Sequence, residues 1–256
     1  MKKNAWIVAG LFLLARGVVV GGETPATNAP APGLGPYETD AHSLLLMHFD
    51  GGAKSKEIKD EADPKAVVEA VGVESVGEGK FGKAVKISGG DGTKPSYVRV
   101  DSDKIALNGK STLTIEAWLN QTNRGAGHQH LIAQSNMEGF SLGITGGNIW
   151  FVLYTEEEKW SGTWPGTART RIPLNEWTHI AATYDGKAIR IYVNGEERLT
   201  KELKGGAMVV SGAYASIGER ADLPGNNLSE GFKGLIDEVR ISDVVRTFGA
   251  EQTEKK

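Results

Sequence analysis

Three kinds of residue in this chain could do chemistry: carboxylates, histidines and tryptophans. Hydrolysis of a glycosidic bond with retention takes two carboxyl groups ~5 Å apart, which only paired acidic residues could supply. Glu116 stands alone on an alternating run. Asp237 and Glu238 are adjacent, which on a regular strand sends them to opposite faces. Glu156, Glu157 and Glu158 form a charge run beside a turn and read as a solvated loop. The five histidines show no metalloprotease spacing; His128 and His130 flank a single loop residue, an ordinary surface arrangement. No local Ser-His-Asp pattern occurs, and the chain has no cysteine for Cys-His chemistry. Tryptophan offers something different, a flat apolar face that stacks on the C–H face of a sugar ring while neighbouring polar side chains bind its hydroxyls. Trp160 and Trp164 lie in a loop containing Gly, Ser, Thr and Pro. There they either recognise a ligand or tuck down to close one end of the fold. Trp118 and Tyr192 sit on the polar side of alternating runs and, with Glu116 and Arg190, could form a second ligand-binding platform. Trp150 fits either role, and Trp177 fits the core.

The elements that must position these residues are strands. Trp177 to Gly195 reads as a β-meander, two β-rich runs joined by Asp185-Gly186 and followed by Asn194-Gly195. Both dipeptides suit type I′ turns, whose twist matches the flanking strands. Ile189, Ile191 and Val193 alternate with Arg190, Tyr192 and Asn194; Leu113, Ile115, Ala117 and Leu119 alternate with Thr112, Thr114, Glu116 and Trp118. Each run presents one apolar and one polar face. Further strands are expected at 42–49, 66–73, 83–88, 96–100, 131–134, 140–145, 148–154, 168–172, 214–218 and 232–241, with at most one turn of helix at 242–250. About a dozen short strands signal a sandwich or barrel.

The 256 residues carry a formal net charge of -3 and no concentrated basic patch, which argues against nucleic-acid binding. Residues 1–22 read as a signal peptide: Lys2 and Lys3, an apolar run from Ala5 to Ala15, then small residues. That run is shorter than the ~20 residues of a membrane span, so no membrane insertion is expected after cleavage; the alternative, an uncleaved anchor that borrows Val18 to Val20, requires burying Arg16. The expected location is secreted, extracellular or periplasmic. Residues 23–41, rich in Thr, Pro, Ala, Asn and Gly, read as a flexible linker, 42–247 as one folded domain, and 248–256 as a polar tail.

Phe81-Gly-Lys-Ala-Val85, Leu113-Thr-Ile-Glu-Ala-Trp118, Leu174 to Gly186, Ile191-Tyr-Val-Asn-Gly195 and Phe232 to Ser242 follow one another in an order that resembles laminin-G-like domains of the concanavalin A-like jelly-roll superfamily. The resemblance spans about residues 42 to 247 and implies an all-β fold, a two-sheet antiparallel β-sandwich. Glucanases of that superfamily carry a Glu-x-Asp-x-Glu run or a near relative; this sequence has none. The resemblance also implies one structural calcium, held where the first and last strands lie side by side. Asp50 and Asp237 stand at the matching positions, with Gly51 and Gly52 free to turn carbonyls inward. Alternatively, Asp50 starts a turn and Asp237 is a buried acid held by backbone N–H groups or Arg240. The expected function is a secreted, non-catalytic recognition module for carbohydrate or an extracellular protein. A glycoside-processing enzyme and a structural cell-surface assembly module are the alternatives.

Overall fold

The computed structural model describes residues 34–89, 94–125, 127–134, 138–164, 169–220 and 231–248. The expected signal peptide, the linker before Leu34 and the tail after Phe248 lie outside the described residues. The described residues form fifteen strands: β1 Ser43–Met47, β2 Val67–Val71, β3 Glu74–Val76, β4 Ala84–Ser88, β5 Tyr97–Asp101, β6 Leu113–Gln121, β7 His128–Gln134, β8 Phe140–Thr145, β9 Asn148–Thr155, β10 Lys159–Gly162, β11 Trp177–Tyr184, β12 Ala188–Val193, β13 Glu196–Glu202, β14 Tyr214–Ile217 and β15 Lys233–Ser242. They form two antiparallel sheets. The eight-stranded sheet runs β13-β12-β11-β6-β15-β4-β3, with β1 pairing β15; the seven-stranded sheet runs β10-β9-β8-β7-β14-β5-β2. This is the two-sheet sandwich the sequence predicts. The short strands β3 and β10 had no clear alternation to announce them. Of the strand expected at 168–172, the described residues 169–172 contribute one bridge at Arg171 rather than a strand, and 242–248 form no helix.

The alternating patterns place the core between the sheets. Leu113, Ile115, Ala117 and Leu119 of β6, Ile189 and Ile191 of β12, and Ile236, Val239 and Ile241 of β15 all belong to one buried cluster with Phe140, Phe151 and Tyr184. The meander forms as expected but with two different turns. Asn194 and Gly195 both have positive φ, 52° and 80°, as a type I′ turn requires. At Asp185-Gly186 only the glycine does. There the Asp185 carboxylate accepts from the Lys187 and Ala188 backbone N–H groups and shapes a three-residue loop in place of the two-residue turn.

The outer face of the eight-stranded sheet is covered. Residues from Leu34 onward, expected as linker, lie on it: Leu34 and Tyr37 are 1% and 5% exposed. The Leu34 carbonyl accepts from Trp118 Nε1 at 2.7 Å, and the Tyr37 backbone N–H donates to Glu238 Oε2 at 2.9 Å. A few residues downstream, Asp40 pairs with Arg246 at 2.9 Å, tying the two ends of the described domain together. Partial burial opposes ionisation of Asp40, but the hydrogen bond from Arg246 and those around His42 and Ser43 outweigh it and hold the carboxyl at about 2. Its folded value lies below the 3.8 of a free carboxyl, so its contribution is present above about pH 4 and lost as the pH falls towards 2. Melting temperatures measured from pH 5 to 2 should therefore fall more for the wild type than for Arg246→Met; equal slopes would refute this.

Candidate functional site

Cross-strand register assembles a polar and aromatic cluster on the outer face of the seven-stranded sheet, near the β8–β9 hairpin. His128 of β7 opposes Thr145 of β8, Thr145 opposes Asn148 of β9, and Asn148 bridges Arg171. One level along, His130 opposes Gly143 and Gly143 opposes Trp150. Gly143 is required there, because a Cβ on it would lie 2.2 Å from Trp150 Cζ2. The bare backbone of β8 thus makes room for the Trp150 indole. Trp164 stacks on Trp150 with ring centroids 6.3 Å apart and planes 24° from parallel. His128 and His130 meet the Trp150 ring edge-to-face at 6.0 and 5.4 Å. Trp150 is 2% exposed, whereas Trp164 is 48% exposed. The inner tryptophan is therefore a buried base and the outer one an accessible apolar plate.

Hydrogen bonds fix this arrangement. Trp150 Nε1 donates to Thr145 Oγ1 at 3.0 Å, and the same oxygen lies 2.8 Å from His128 Nδ1. His130 Nδ1 lies 2.7 Å from Ser141 Oγ. This Ser-His contact has half the form of an activated nucleophile, but Ser141 and His130 are 6% and 7% exposed, which closes it to a substrate. The arrangement can stack on a planar or sugar-like ring and hydrogen-bond its edge.

Of the sequence-predicted ligand residues, Trp160 and Trp164 come to this outer face. Trp160 lies on β10, half-buried, edge-to-face with Tyr154 at 5.8 Å; their strands pair at this position. Thr163 turns inward to bond the Phe151 backbone, so Trp160 and Trp164 share one side. The other four belong to the opposite sheet and form no open platform. Trp118, 3% exposed, is enclosed by Phe81, His179, Lys80 and the Leu34 carbonyl. Glu116 is fully buried. It accepts from Arg240 at 2.7–2.8 Å and contacts His179 Nε2 at 3.3 Å. Burial alone would push Glu116 up, yet His179 and Arg240 together hold its carboxyl below the ordinary value. Tyr192 packs on Phe248 at 4.9 Å, and Arg190 pairs with Asp185 at 2.5 Å. Polar alternation identifies the face of a strand, but not whether another segment covers it. Trp177, expected in the core, is half-buried and opposes Asn120 at the edge of the outer face. His128 and His130, read from the sequence as a surface pair in a loop, lie on β7 with His130 buried; with Trp150, which fitted either role, they converge only once β7, β8 and β9 are aligned.

Asp50 and Asp237 approach the same loop. Asp50 Oδ1 accepts from the Lys83 backbone at 2.7 Å, and Asp237 Oδ2 accepts from the Phe81 backbone at 2.9 Å. A side chain on Gly79 would meet both the Lys83 carbonyl oxygen, at 2.5 Å, and Asp237 Oδ2, at 2.9 Å. Burial pushes the Asp237 carboxyl up to about 7 against its backbone hydrogen bonds, with the charge of Glu238 adding to the rise. Glu238 has φ 52° in a β-bulge between Asp237 and Arg240. The bulge puts adjacent Asp237 and Glu238 on one face, not on opposite faces as a regular strand would. Glu238 is tied to His48 at 2.7 Å and is 1% exposed, and Asp237 is fully buried, so the two do not line an open cleft. Among the described residues, no group of three or more His, Cys, Asp or Glu gathers for a metal.

A family model for laminin-G domains, described as concanavalin A-like lectin/glucanases superfamily, matches residues 91–249. Pappalysin-1 of Mus musculus is 32% identical over 82 residues, which cover 31% of this chain and 5% of that protein. The binding domain of paraclostridial mosquitocidal protein 1 superposes with a TM-score of 0.61 at 19% identity, over 80% of this chain and 50% of that one. The botulinum neurotoxin serotype D ligand-binding domain, solved with N-acetylneuraminic acid, gives 0.60 at 15% identity, over 80% and 48%. Domain 4 of an extracellular arabinanase from Geobacillus stearothermophilus, solved with arabinotriose, gives 0.56 at 20% identity, over 80% and 93%. The chain spans about half the length of the two toxin domains. At these identities the likeness establishes the fold.

Proposed function

The chain belongs to the laminin-G-type domains of the concanavalin A-like lectin/glucanase superfamily, and from that premise we propose that it is a non-catalytic carbohydrate-recognition module. One observation carries the reading: Trp164, 48% exposed, is stacked on a buried Trp150 that two histidines, Thr145 and Gly143 hold in place. A preorganised aromatic plate with hydrogen-bonding neighbours suits a sugar ring, because little side-chain entropy is lost when the ring docks. The arabinotriose and N-acetylneuraminic acid complexes of fold relatives support a glycan as the ligand class. A glycan array followed by calorimetry tests the proposal. Binding that disappears with Trp164 is expected; a chain that binds no glycan, or binds one independently of Trp164, would refute it.

The N-terminal Lys2-Lys3 and apolar Ala5–Ala15 pattern supports export, so the module would act outside the cytoplasm, on free or surface-attached glycans. Calcium as a structural cofactor is a second part of the proposal. Asp50 and Asp237 supply carboxylate oxygens around one glycine-containing loop, and the Lys83 carbonyl adds a backbone oxygen near Asp237. These are hard donors of the kind Ca²⁺ prefers. Bound there, calcium would neutralise buried charge and tie the first and last strands to the 79–83 loop. Melting in excess calcium should exceed melting in chelator by several degrees for the wild type, with no difference for Asp237→Asn. Indifference of the wild type to calcium would overturn this part.

A further inference from the structure

We infer that the carbohydrate taken by the Trp150–Trp164 site is anionic, bearing a carboxylate or a sulfate on the sugar stacked at Trp164. This inference rests on the reading of that tryptophan pair as a sugar platform and specifies which sugars it selects.

Arg99, Arg190, Arg198, Arg240 and Arg246 each lie within 4.0 Å of a carboxylate. Among the described residues, Arg124, Arg169 and Arg171 form no ion pair, and these three belong to one neighbourhood. Arg171 bridges Asn148 and so ends the row His128–Thr145–Asn148 on the outer face. Thr170 turns inward, buried, with its hydroxyl donating to the Ile149 carbonyl at 2.6 Å. The backbone pairing runs past that bridge, with the Ile149 N–H donating to the Thr170 carbonyl at 3.3 Å, and with Thr170 turned inward Arg169 falls on the outer side with Arg171; both arginines are exposed. Arg124 is fixed to the β8–β9 turn, donating to the Gly146 and Ile172 carbonyls at 3.4 and 3.2 Å. A Cβ on Gly147 would fall 1.6 Å from Arg124 Nη1, so the second turn glycine is what admits the guanidinium. Both acceptors are neutral, and the charge of Arg124 remains uncompensated. Burial, and after it the like charge of Arg171, lower the Arg124 pKa.

Like charges held together beside an aromatic plate, in a chain whose net charge is -3, run against the sign of the molecule. Their mutual repulsion is relieved when an anion arrives between them. A guanidinium presents paired N–H donors that match the two oxygens of a carboxylate or of a sulfate ester. His128, exposed and in the same row as Arg171, adds a hydrogen-bonding edge. The geometry is that of a ring stacked on Trp164 with its acidic substituent turned towards Arg169 and Arg171.

The test uses the full chain and four probes measured by calorimetry at one ionic strength: an oligogalacturonate, the same oligosaccharide with its carboxyls reduced to alcohols, a sulfated galactan oligosaccharide, and inorganic polyphosphate. The carboxylated or the sulfated sugar should bind at least roughly tenfold more tightly than the reduced one, as expected for a charge-assisted hydrogen bond; which of the two binds distinguishes the sources of charge. Arg169→Glu with Arg171→Glu should erase that preference while leaving the melting temperature unchanged, because both side chains are exposed. Equal binding of the reduced sugar would overturn the anionic inference and leave the platform reading intact. Polyphosphate binding as tightly as the sugars and unaffected by Trp164→Ala would overturn it too, since charge alone would then suffice. Absence of binding to every sugar, neutral ones included, would remove the platform reading itself and this inference with it.

Discussion

Glu116→Ala should lower the melting temperature by about 10 °C. Glu116 is fully buried and is the carboxylate that faces the Arg240 guanidinium, itself 8% exposed, and His179 Nε2. Removing one partner of a buried ion pair leaves the other charge desolvated without compensation, which costs about 3–5 kcal/mol. For a domain of this size each kcal/mol shifts the midpoint by about 2–4 °C. The loss extends past the pair, because Arg240 also supports the Tyr37 ring, 4.0 Å above its guanidinium, and Tyr37 belongs to the segment that covers the eight-stranded sheet. Hydrogen exchange should accordingly rise first at residues 34–40, before the core strands. Glu116→Gln keeps an acceptor for Arg240 and should recover part of the loss. A midpoint within 2 °C of wild type for Glu116→Ala would mean that water replaces the carboxylate and that the cluster is not a lock.

Trp164→Ala should weaken glycan binding by at least about thirtyfold while leaving the midpoint within a degree or two. Central aromatic anchors are worth about 2 kcal/mol or more at binding surfaces, and a side chain already 48% exposed has little folding free energy to lose. Trp150→Ala offers the contrast. That ring is 2% exposed and packs against two histidines, so its removal should abolish binding and also cost about 3–5 kcal/mol of stability. Equal stability loss for the two variants would make Trp164 a structural closure rather than a platform, the other role its loop position allows.

Much of the scaffold was legible because local rules agree with the global fold. Period-2 alternation in β6 and β12 names the residues that fill the core, and Asn194-Gly195 names its turn, since both depend on near neighbours alone. The paired positions of Asp50 and Asp237 could be named from the order of motifs, and both do reach one loop. Asp185-Gly186 misled because a capping carboxylate can substitute for a second positive φ. Asp237-Glu238 misled because a bulge rotates one residue and cancels the strict alternation.

The sequence by itself determined the sandwich and the residues between its sheets, both consequences of short-range patterning, whereas the stretch read as a loop carrying Trp160 and Trp164 holds Trp160 on β10. Only the tertiary structure decided which outer face holds the candidate site. Trp118, Glu116, Tyr192 and Arg190 show the same polar alternation as a ligand platform, yet Leu34, Tyr37, Phe81 and Phe248 pack over that sheet. On the other sheet, His128, Trp150, Trp164 and Arg171 come from four separate stretches and meet through cross-strand register and ring stacking. Coverage and convergence are properties of residues far apart in the chain, and no local period encodes them.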